Sequence, residues 1–261
     1  MKFCSLGSGS KGNCALIEAA GKRVVVDCGF GLRDFVSRLA EKAPWIPPES
    51  IDAIFVTHEH GDHATGVPRI SRKFGTKVYL TAGTAEALGK KLDGSNFEII
   101  SDEQSIVFGE LAVTPFTVPH DAREPVQFRV SSGGFELGII SDCGHVTPHM
   151  VKWLSGCDAL MLEANHCREM LRDGPYPEGL QYRVGGHYGH LNNDQSLDLL
   201  GKLDNQRLRI LVATHLSEQN NCPNKVEAAL RAALPSDNIQ LTIANQGEGF
   251  DWHDLTYKEA A

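Results

Sequence analysis

Short apolar runs recur along the chain, and stretches with apolar residues at helical spacing lie between them. Such runs, bounded by turn-forming residues, are typical of buried strands. Helices are predicted over Leu32 to Glu41, Thr84 to Lys91, Asn193 to Leu203 and Asn224 to Leu234. Strands that alternate with helices predict the α/β class.

The chain opens with a predicted strand and then a glycine-rich segment, LGSGSKGN, at residues 6–13. Its glycines form the pattern G-x-G-x-x-G, which binds a dinucleotide when a strand precedes it and a helix follows it. Here the next two apolar runs, Cys14 to Ile17 and Val24 to Val26, predict a hairpin instead. A P-loop is also excluded, because Asn13 and Cys14 occupy the positions of its Lys and Ser/Thr.

Composition favours one large domain over residues 1–261. The hydrophobic content of 41% is enough for a sizeable core, and no linker, low-complexity tract or repeat divides the chain. No secretion signal and no apolar stretch of membrane-spanning length is evident, so we expect a cytoplasmic protein. The seven cysteines include no CxxC pair, which argues against a disulfide framework or a zinc knuckle.

The formal net charge of −8 argues against a broad basic surface for nucleic acid. Bound metal ions would weaken that objection. Two divalent cations would offset half of the negative charge and would concentrate positive charge where a phosphate has to sit.

Several apolar runs end in a residue that could bind a metal ion. The residues at or just after these ends are Asp27, His58, His120, Asp142, Asn165 and His215. If the runs are strands of packed sheets, their polar ends meet along one edge, where α/β proteins form their sites.

The segment THEHGDHATG contains the densest group of candidate ligands. It places His58, His60, Asp62 and His63 within six positions, and Gly61 is expected to allow a tight turn. It is not the H-E-x-x-H motif of zinc proteases, because Asp62 stands where the second histidine would be. Four donors exceed what one tetrahedral ion needs from one loop and suit two neighbouring ions.

This segment resembles the H-x-H-x-D-H hallmark of the metallo-β-lactamase fold superfamily. Later motifs of the superfamily follow in order as VPHD at His120, SDCG at Asp142 and THLS at His215. The opening GSGSKGN and the segments EANH, GHLNN and HLSEQNN are similar to one branch, the YycJ/WalJ-type exonucleases. The resemblance implies an αββα four-layer sandwich, and it implies that the glycine segment borders a metal cleft.

The resemblance further implies two divalent ions, zinc or manganese, that share one ligand. It assigns His58, His60 and His120 to one ion, Asp62, His63 and His215 to the other, and Asp142 to both. Asp27 would orient a ligand from behind. Hydrolysis of a phosphodiester would then depend on Asp62 and Asp142 and on His190, which falls where related nucleases contact the scissile phosphate.

DNA ends, digested from the 5′ side, are the implied substrate. The candidate substrate contacts are Lys11, Asn165, His187, His190, Asn193 and Asn220. Basic residues that could add phosphate contacts are Arg69, Arg72, Lys73, Arg168, Arg172 and Arg183. The interval between Asp142 and His215 is too short for the inserted domain of the β-CASP RNA-processing nucleases.

Three other functions remain open at the level of sequence. The first two are a phosphodiesterase for small cyclic phosphates and a thioesterase resembling glyoxalase II, both of the same fold. The third is a metal-binding scaffold without catalysis. Cys28 and Cys143 stand where the superfamily resemblance leads us to expect small residues, and we expect them to fill core positions or to make the site sensitive to oxidation.

Overall fold

The computed structural model describes residues 1–256, which contain two seven-stranded sheets packed face to face. The strands are β1 (Lys2–Gly7), β2 (Cys14–Ala19), β3 (Lys22–Val26), β4 (Ala53–Phe55), β5 (Lys77–Leu80), β6 (Phe97–Ile99), β7 (Ile106–Phe108), β8 (Leu111–Thr117), β9 (Val126–Ser132), β10 (Phe135–Ile140), β11 (Ala159–Glu163), β12 (Ile210–Thr214), β13 (Gln240–Ile243) and β14 (Phe250–Asp254). The helices are α1 (Leu32–Lys42), α2 (Gly61–Ala64), α3 (Val67–Phe74), α4 (Ala82–Leu88), α5 (Pro148–Leu154), α6 (Arg168–Asp173), α7 (Glu178–Val184), α8 (Asn193–Lys202) and α9 (Pro223–Ala233). Pro48–Ser50 and Gly89–Leu92 form 3₁₀ turns.

Each sheet combines an antiparallel part with a parallel part. The first has the order β14-β1-β2-β3-β4-β5-β6, and the strands from β3 to β6 are parallel. The second has the order β13-β12-β11-β10-β9-β8-β7, and the strands from β10 to β13 are parallel. Because the parallel strands of a sheet end at the same edge, the loops that follow them lie side by side.

Three apolar layers make the αββα sandwich. Phe55 and Phe128 are wholly buried between the two sheets, 5.5 Å apart between ring centroids. Helices α1, α3 and α4 pack on the outer face of the first sheet, and α5, α8 and α9 pack on the second. The predicted fold class is therefore confirmed. The predicted single domain over 1–261 extends past the described residues and stays a prediction.

The sequence predicted the longer helices better than the short ones. Helices α1, α8 and α9 lie within one residue of their predicted bounds at each end. The prediction for Thr84 to Lys91 was wrong at both ends, because the Thr81 hydroxyl caps a helix that begins at Ala82, and Gly89, with φ of +48°, ends it. The sequence did not predict α3, α5, α6 or α7, which are six to eight residues long and too short to show helical periodicity.

Three of the predicted site residues have a left-handed backbone conformation at the ends of strands. Asp27 follows β3, Asp142 follows β10, and His215 follows β12, with φ of +60°, +49° and +56°. This conformation is costly for residues other than glycine, roughly 1–3 kcal/mol each, and persists where packing enforces it, as it does at functional sites. The strain at this edge of the sheets therefore points to a site there.

No helix among the described residues combines the length and the apolar character needed to span a membrane.

Candidate metal centre

Three histidine rings converge at the first candidate position. His58 Nε2 and His120 Nε2 lie 3.0 Å and 3.2 Å from His60 Nδ1. The Nδ1 atom of His120 donates to the Gly189 carbonyl at 3.0 Å, so its Nε2 lone pair faces the other two rings. His58 Nδ1 is held at 2.9 Å from the Thr57 hydroxyl. Three ring nitrogens that face one another form a donor set that suits a cation.

A second group of donors lies beside the first. One ligand atom from each of Asp62, His63, Asp142 and His215 lies within 4.8 Å of the others. The Nε2 atoms of His63 and His215 are each 3.5 Å from Asp62 Oδ2. The buried Nε2 of His215 has no hydrogen-bond partner among the described residues, and such an orphaned donor site is expected where an ion binds.

Asp142 faces both groups. Its Oδ2 contacts His63 Nε2 and lies 3.5 Å from His58 Nε2, while its Oδ1 lies 2.7 Å from His215 Nδ1. Burial opposes charge on this carboxylate, but the neighbouring histidines, His215 first, lower its pKa well below the usual range. A buried anionic carboxylate between two donor groups is placed to hold two cations at a fixed separation.

The loop after β4 carries His58, and a single helical turn then carries the next three donors. His60 is the N-terminal cap of α2, and Asp62 and His63 lie within that helix. The expected tight turn at Gly61 is the start of this helix, where the His63 amide donates to the His60 carbonyl at 3.0 Å, and a Cβ at Gly61 would meet Thr65 only at 3.5 Å. Gly29 is the sterically demanding position, because its Cβ would lie 2.0 Å from the Asp62 carbonyl oxygen.

The Asp27 carboxylate lies behind this loop and contacts His63. Its Oδ2 lies 2.8 Å from His63 Nδ1, and its two oxygens accept hydrogen bonds from the Thr57 amide and hydroxyl, both at 2.8 Å. The carboxylate is buried and fixes the ring so that Nε2 points to Asp62 and Asp142.

The glycine-rich opening supports the same donors. The Ser8 hydroxyl accepts from the His215 amide at 2.8 Å, and Asn13 Nδ2 lies 3.1 Å from His63 Nε2. The Asn13 side chain also closes the loop by accepting from the Gly9 amide at 2.8 Å. Strand β2 follows at Cys14 and pairs with β3, so the predicted hairpin is confirmed.

A glutamate that the sequence reasoning did not single out organises the far side of the site. Glu163 is wholly buried at the end of β11 and accepts from the amides of Cys143 and Leu191 at 3.0 Å and 3.1 Å. Its Oε1 lies 2.9 Å from His190 Nδ1 and 3.3 Å from His215 Nδ1. The signal in the sequence that could have identified Glu163 was a carboxylate at the end of an apolar run.

His190 is held as a cation by its neighbours. Its Nδ1 lies 3.0 Å from Asp142 Oδ1 in addition to the Glu163 contact, and 21% of its side chain is exposed to the cleft. Burial would lower its pKa, but the two carboxylates outweigh that effect and raise the pKa to about 9. Burial would raise the pKa of the Glu163 carboxyl, but hydrogen bonds from His190 and His215 outweigh burial and lower this pKa. An imidazolium at this position can donate a proton into the cleft.

Comparison with known proteins decides the family. A family model described as a β-lactamase superfamily domain matches residues 22–216, most of the chain. The chain belongs to this family.

Exodeoxyribonuclease WalJ of Streptococcus pneumoniae serotype 2 is 33% identical over 225 residues, which cover 84% of this chain and 83% of that protein. Exodeoxyribonuclease YycJ of Bacillus anthracis is 30% identical over 266 residues, which cover 99% of this chain and 96% of that protein. The resemblance to the YycJ/WalJ-type branch is confirmed.

A solved structure supports the fold. Zinc-bound PqqB from Methylobacterium extorquens aligns with a TM-score of 0.76 over 98% of this chain and all of that one, at 18% identity. At that identity the likeness concerns the fold alone. Within a β-lactamase superfamily domain, the histidine and aspartate groups described above are suited to divalent metal ions.

Two of the candidate substrate contacts, Lys11 and His187, are exposed residues that belong to neither donor group. Lys11 is exposed and its ammonium lies 2.5 Å from the Glu218 carboxylate. His187 is exposed, and its carbonyl accepts from His145 Nδ1 at 2.8 Å. Their predicted contact with substrate stays a prediction.

The three candidate asparagines make internal contacts near His215. Asn165 Nδ2 donates to the His215 carbonyl at 3.0 Å. The Asn193 and Asn221 side chains pair through both amides, at 3.0 Å and 2.9 Å. Asn220 is wholly buried beside Ser217, and its Oδ1 has no hydrogen-bond partner among the described residues. These contacts hold the loop that follows β12. That the three asparagines bind substrate stays a prediction.

The basic candidates are mostly engaged elsewhere. Arg72 donates to the carbonyls of Lys91 and Asp93 at 2.9 Å and 3.0 Å. Arg168 and Arg172 pair with Asp194 and Asp173 at 3.3 Å and 2.7 Å, and Arg69 lines a different cavity. Lys73 is exposed on α3. Of the six, Arg183 lines the metal cleft.

The two unexpected cysteines fill core positions. Cys28 and Cys143 are wholly buried in the layers between sheet and helices. Burial raises the pKa of the Cys143 thiol well above its ordinary value, and this keeps it protonated. Neither cysteine belongs to the donor groups, whose ligand atoms are nitrogen and oxygen.

Proposed function

We propose that this chain is a dinuclear metal-dependent exonuclease that digests DNA from its 5′ ends. One observation carries the proposal: seven donor side chains form two adjacent groups, and the Asp142 carboxylate faces both of them. The names of the relatives WalJ and YycJ, exodeoxyribonucleases in both cases, support DNA as the substrate.

We assign His58, His60 and His120 to one ion and Asp62, His63 and His215 to the other. Bound ions would supply a hydroxide near neutral pH and would neutralise charge on the phosphate oxygens. Asp142 fixes the separation of the two groups, and Asp27 and Glu163 orient His63 and His215 from behind. The all-nitrogen-and-oxygen donor set suits zinc and manganese alike.

His190 supplies the proton in this proposal. Its ring lies between the Glu163 carboxylate and the cleft, where a phosphate oxygen or leaving oxygen would sit. Held as an imidazolium, it can hydrogen-bond the phosphate and protonate the departing oxygen.

We also propose a cytoplasmic location. All seven cysteines are free thiols, a pattern that suits a reducing compartment.

The test is digestion of DNA duplexes labelled at either end by protein stripped of metal and reloaded with zinc or manganese. Bis-p-nitrophenyl phosphate is assayed beside it, and Asp142→Asn serves as the inactive control. We expect metal-dependent loss of the 5′ label as a mononucleotide. Hydrolysis of the small ester alone would instead favour a phosphodiesterase for small substrates.

A further inference from the structure

One wall of the metal cleft is apolar and aromatic. The cleft has a volume of about 360 Å³. Its lining includes His60, Asp62, Asp142 and His190 of the metal centre, and it also includes Tyr176, Leu180, Arg183 and Val184, which form the apolar wall. The roles proposed for the metal ligands and for the proton donor give no reason for an apolar wall. Among the residues of this wall, the sequence pointed only to the charge of Arg183.

The wall is one face of helix α7 together with Tyr176, which stands two residues before the helix begins. Leu180, Arg183 and Val184 are spaced i, i+3 and i+4, so they share a face of the helix. Tyr176 precedes the helix and lines the same cleft. Tyr182 lies on the same helix but is 85% exposed and does not line the cleft.

The aromatic ring of Tyr176 is presented by a stiff segment. Pro175 and Pro177 flank it and restrict the backbone on both sides. The Tyr176 carbonyl accepts from Gln181 Nε2 at 2.9 Å, which ties the segment to the first turns of α7. A preorganised aromatic ring loses little entropy when a ligand stacks on it.

Arg183 brings a positive charge to this wall. Arg183 Nε lies 2.5 Å from Asp121 Oδ2, and Asp121 Oδ1 lies 3.4 Å from His120 Nε2. The Arg183 side chain is 58% exposed, so the rest of its guanidinium is accessible to an anion in the cleft. A guanidinium and two donor groups suited to cations, next to an aromatic and aliphatic wall, match a nucleotide, which joins a phosphate to a flat base.

We propose that Tyr176 and Leu180 bind the base of the nucleotide whose phosphate occupies the metal centre. The proposal rests on the proposed function and makes the site selective for nucleotides over phosphate esters that lack a base. The base stacks on the Tyr176 ring, Leu180 covers its edge, and Arg183 contacts the phosphate.

The test compares two inhibitors of bis-p-nitrophenyl phosphate hydrolysis by the metal-loaded protein. Thymidine 5′-monophosphate carries the base, and deoxyribose 5-phosphate does not. We expect the nucleotide to inhibit at a concentration lower by about fivefold or more, the range that stacking of one base on an aromatic side chain produces.

Three variants locate the effect. Tyr176→Ala should remove the preference for the nucleotide, and Tyr176→Phe should keep it because the stacking face remains. Tyr182→Ala is the matched control, a tyrosine on the same helix outside the cleft, and should also keep the preference. Metal content and circular dichroism of Tyr176→Ala, measured beside those of the wild type, show whether its fold and metal centre are intact.

Two results would overturn the proposal while leaving the hydrolase function standing. One is equal inhibition of the wild type by the two compounds, and the other is a preference that Tyr176→Ala retains. Failure of the metal-loaded wild type to hydrolyse either the small ester or a DNA end would instead refute the proposed function, and the base site with it.

Discussion

The Oε1 atom of Glu163 lies 2.9 Å from the Nδ1 atom of His190, at the end of a buried strand. The carboxylate cannot turn away, because its other oxygen accepts from the amides of Cys143 and Leu191. The pair therefore fixes the orientation of the His190 ring and stabilises its charged form.

Replacing Glu163 with Gln should lower turnover about 10- to 100-fold, the usual effect of losing a buried partner of a site histidine. The amide keeps the size of the side chain but removes the negative charge that holds His190 protonated. Hydrolysis of bis-p-nitrophenyl phosphate and metal content are measured together. Glu178→Gln, at an exposed position on α7, is the control, and full activity in Glu163→Gln would contradict the assignment.

His190→Ala should lose turnover without losing metal, because His190 is assigned proton donation and not ligation. A loss of about 10²- to 10⁴-fold is typical for a general acid. His187→Ala tests the neighbouring candidate, whose ring lies against His145 outside the donor groups, and should lower turnover much less than His190→Ala. Equal losses in the two variants, or loss of metal from His190→Ala, would refute the division of roles.

Asp142→Asn and His60→Ala should each abolish turnover while leaving the fold largely intact. Asp142 is assigned to both ions, and His60 Nδ1 is the atom on which the other two rings of its group converge. Circular dichroism checks the fold, and His149→Ala, at a histidine outside both groups, is the control. A metal-loaded variant with full activity would show that the ligands are wrongly assigned.

Removing metal with a chelator should lower the melting temperature. An ion that binds only the folded state raises the free energy of unfolding as the ion concentration rises, by about 4 kcal/mol at a thousand times its dissociation constant. Calorimetry with and without chelator measures the shift, which should be smaller in His60→Ala. A melting temperature that chelation leaves unchanged would mean that the donor groups hold no ion.

The sequence predicted the donor groups because their signals are local or regular. His58, His60, Asp62 and His63 lie within one short segment, and Asp142 and His215 follow apolar runs that form parallel strands. Parallel strands end at one edge, so residues far apart in sequence meet there.

The residues that surround the donor groups could not be predicted from the sequence in the same way. Glu163 and His190 are 27 positions apart, and nothing in the sequence shows that a buried strand end meets that loop. Helix α7 has seven residues, with Gly179 inside it, so no periodicity marked the wall that carries Leu180. Lys11 stands next to a glycine loop, but its ion pair with Glu218 depends on tertiary packing.

Anomalous scattering from crystals grown with manganese or zinc tests the central claim most directly. The account predicts two peaks, one among His58, His60 and His120 and one among Asp62, His63 and His215, with Asp142 in contact with both. No peak at either position, or donor side chains that point apart in the presence of ample metal, would contradict it.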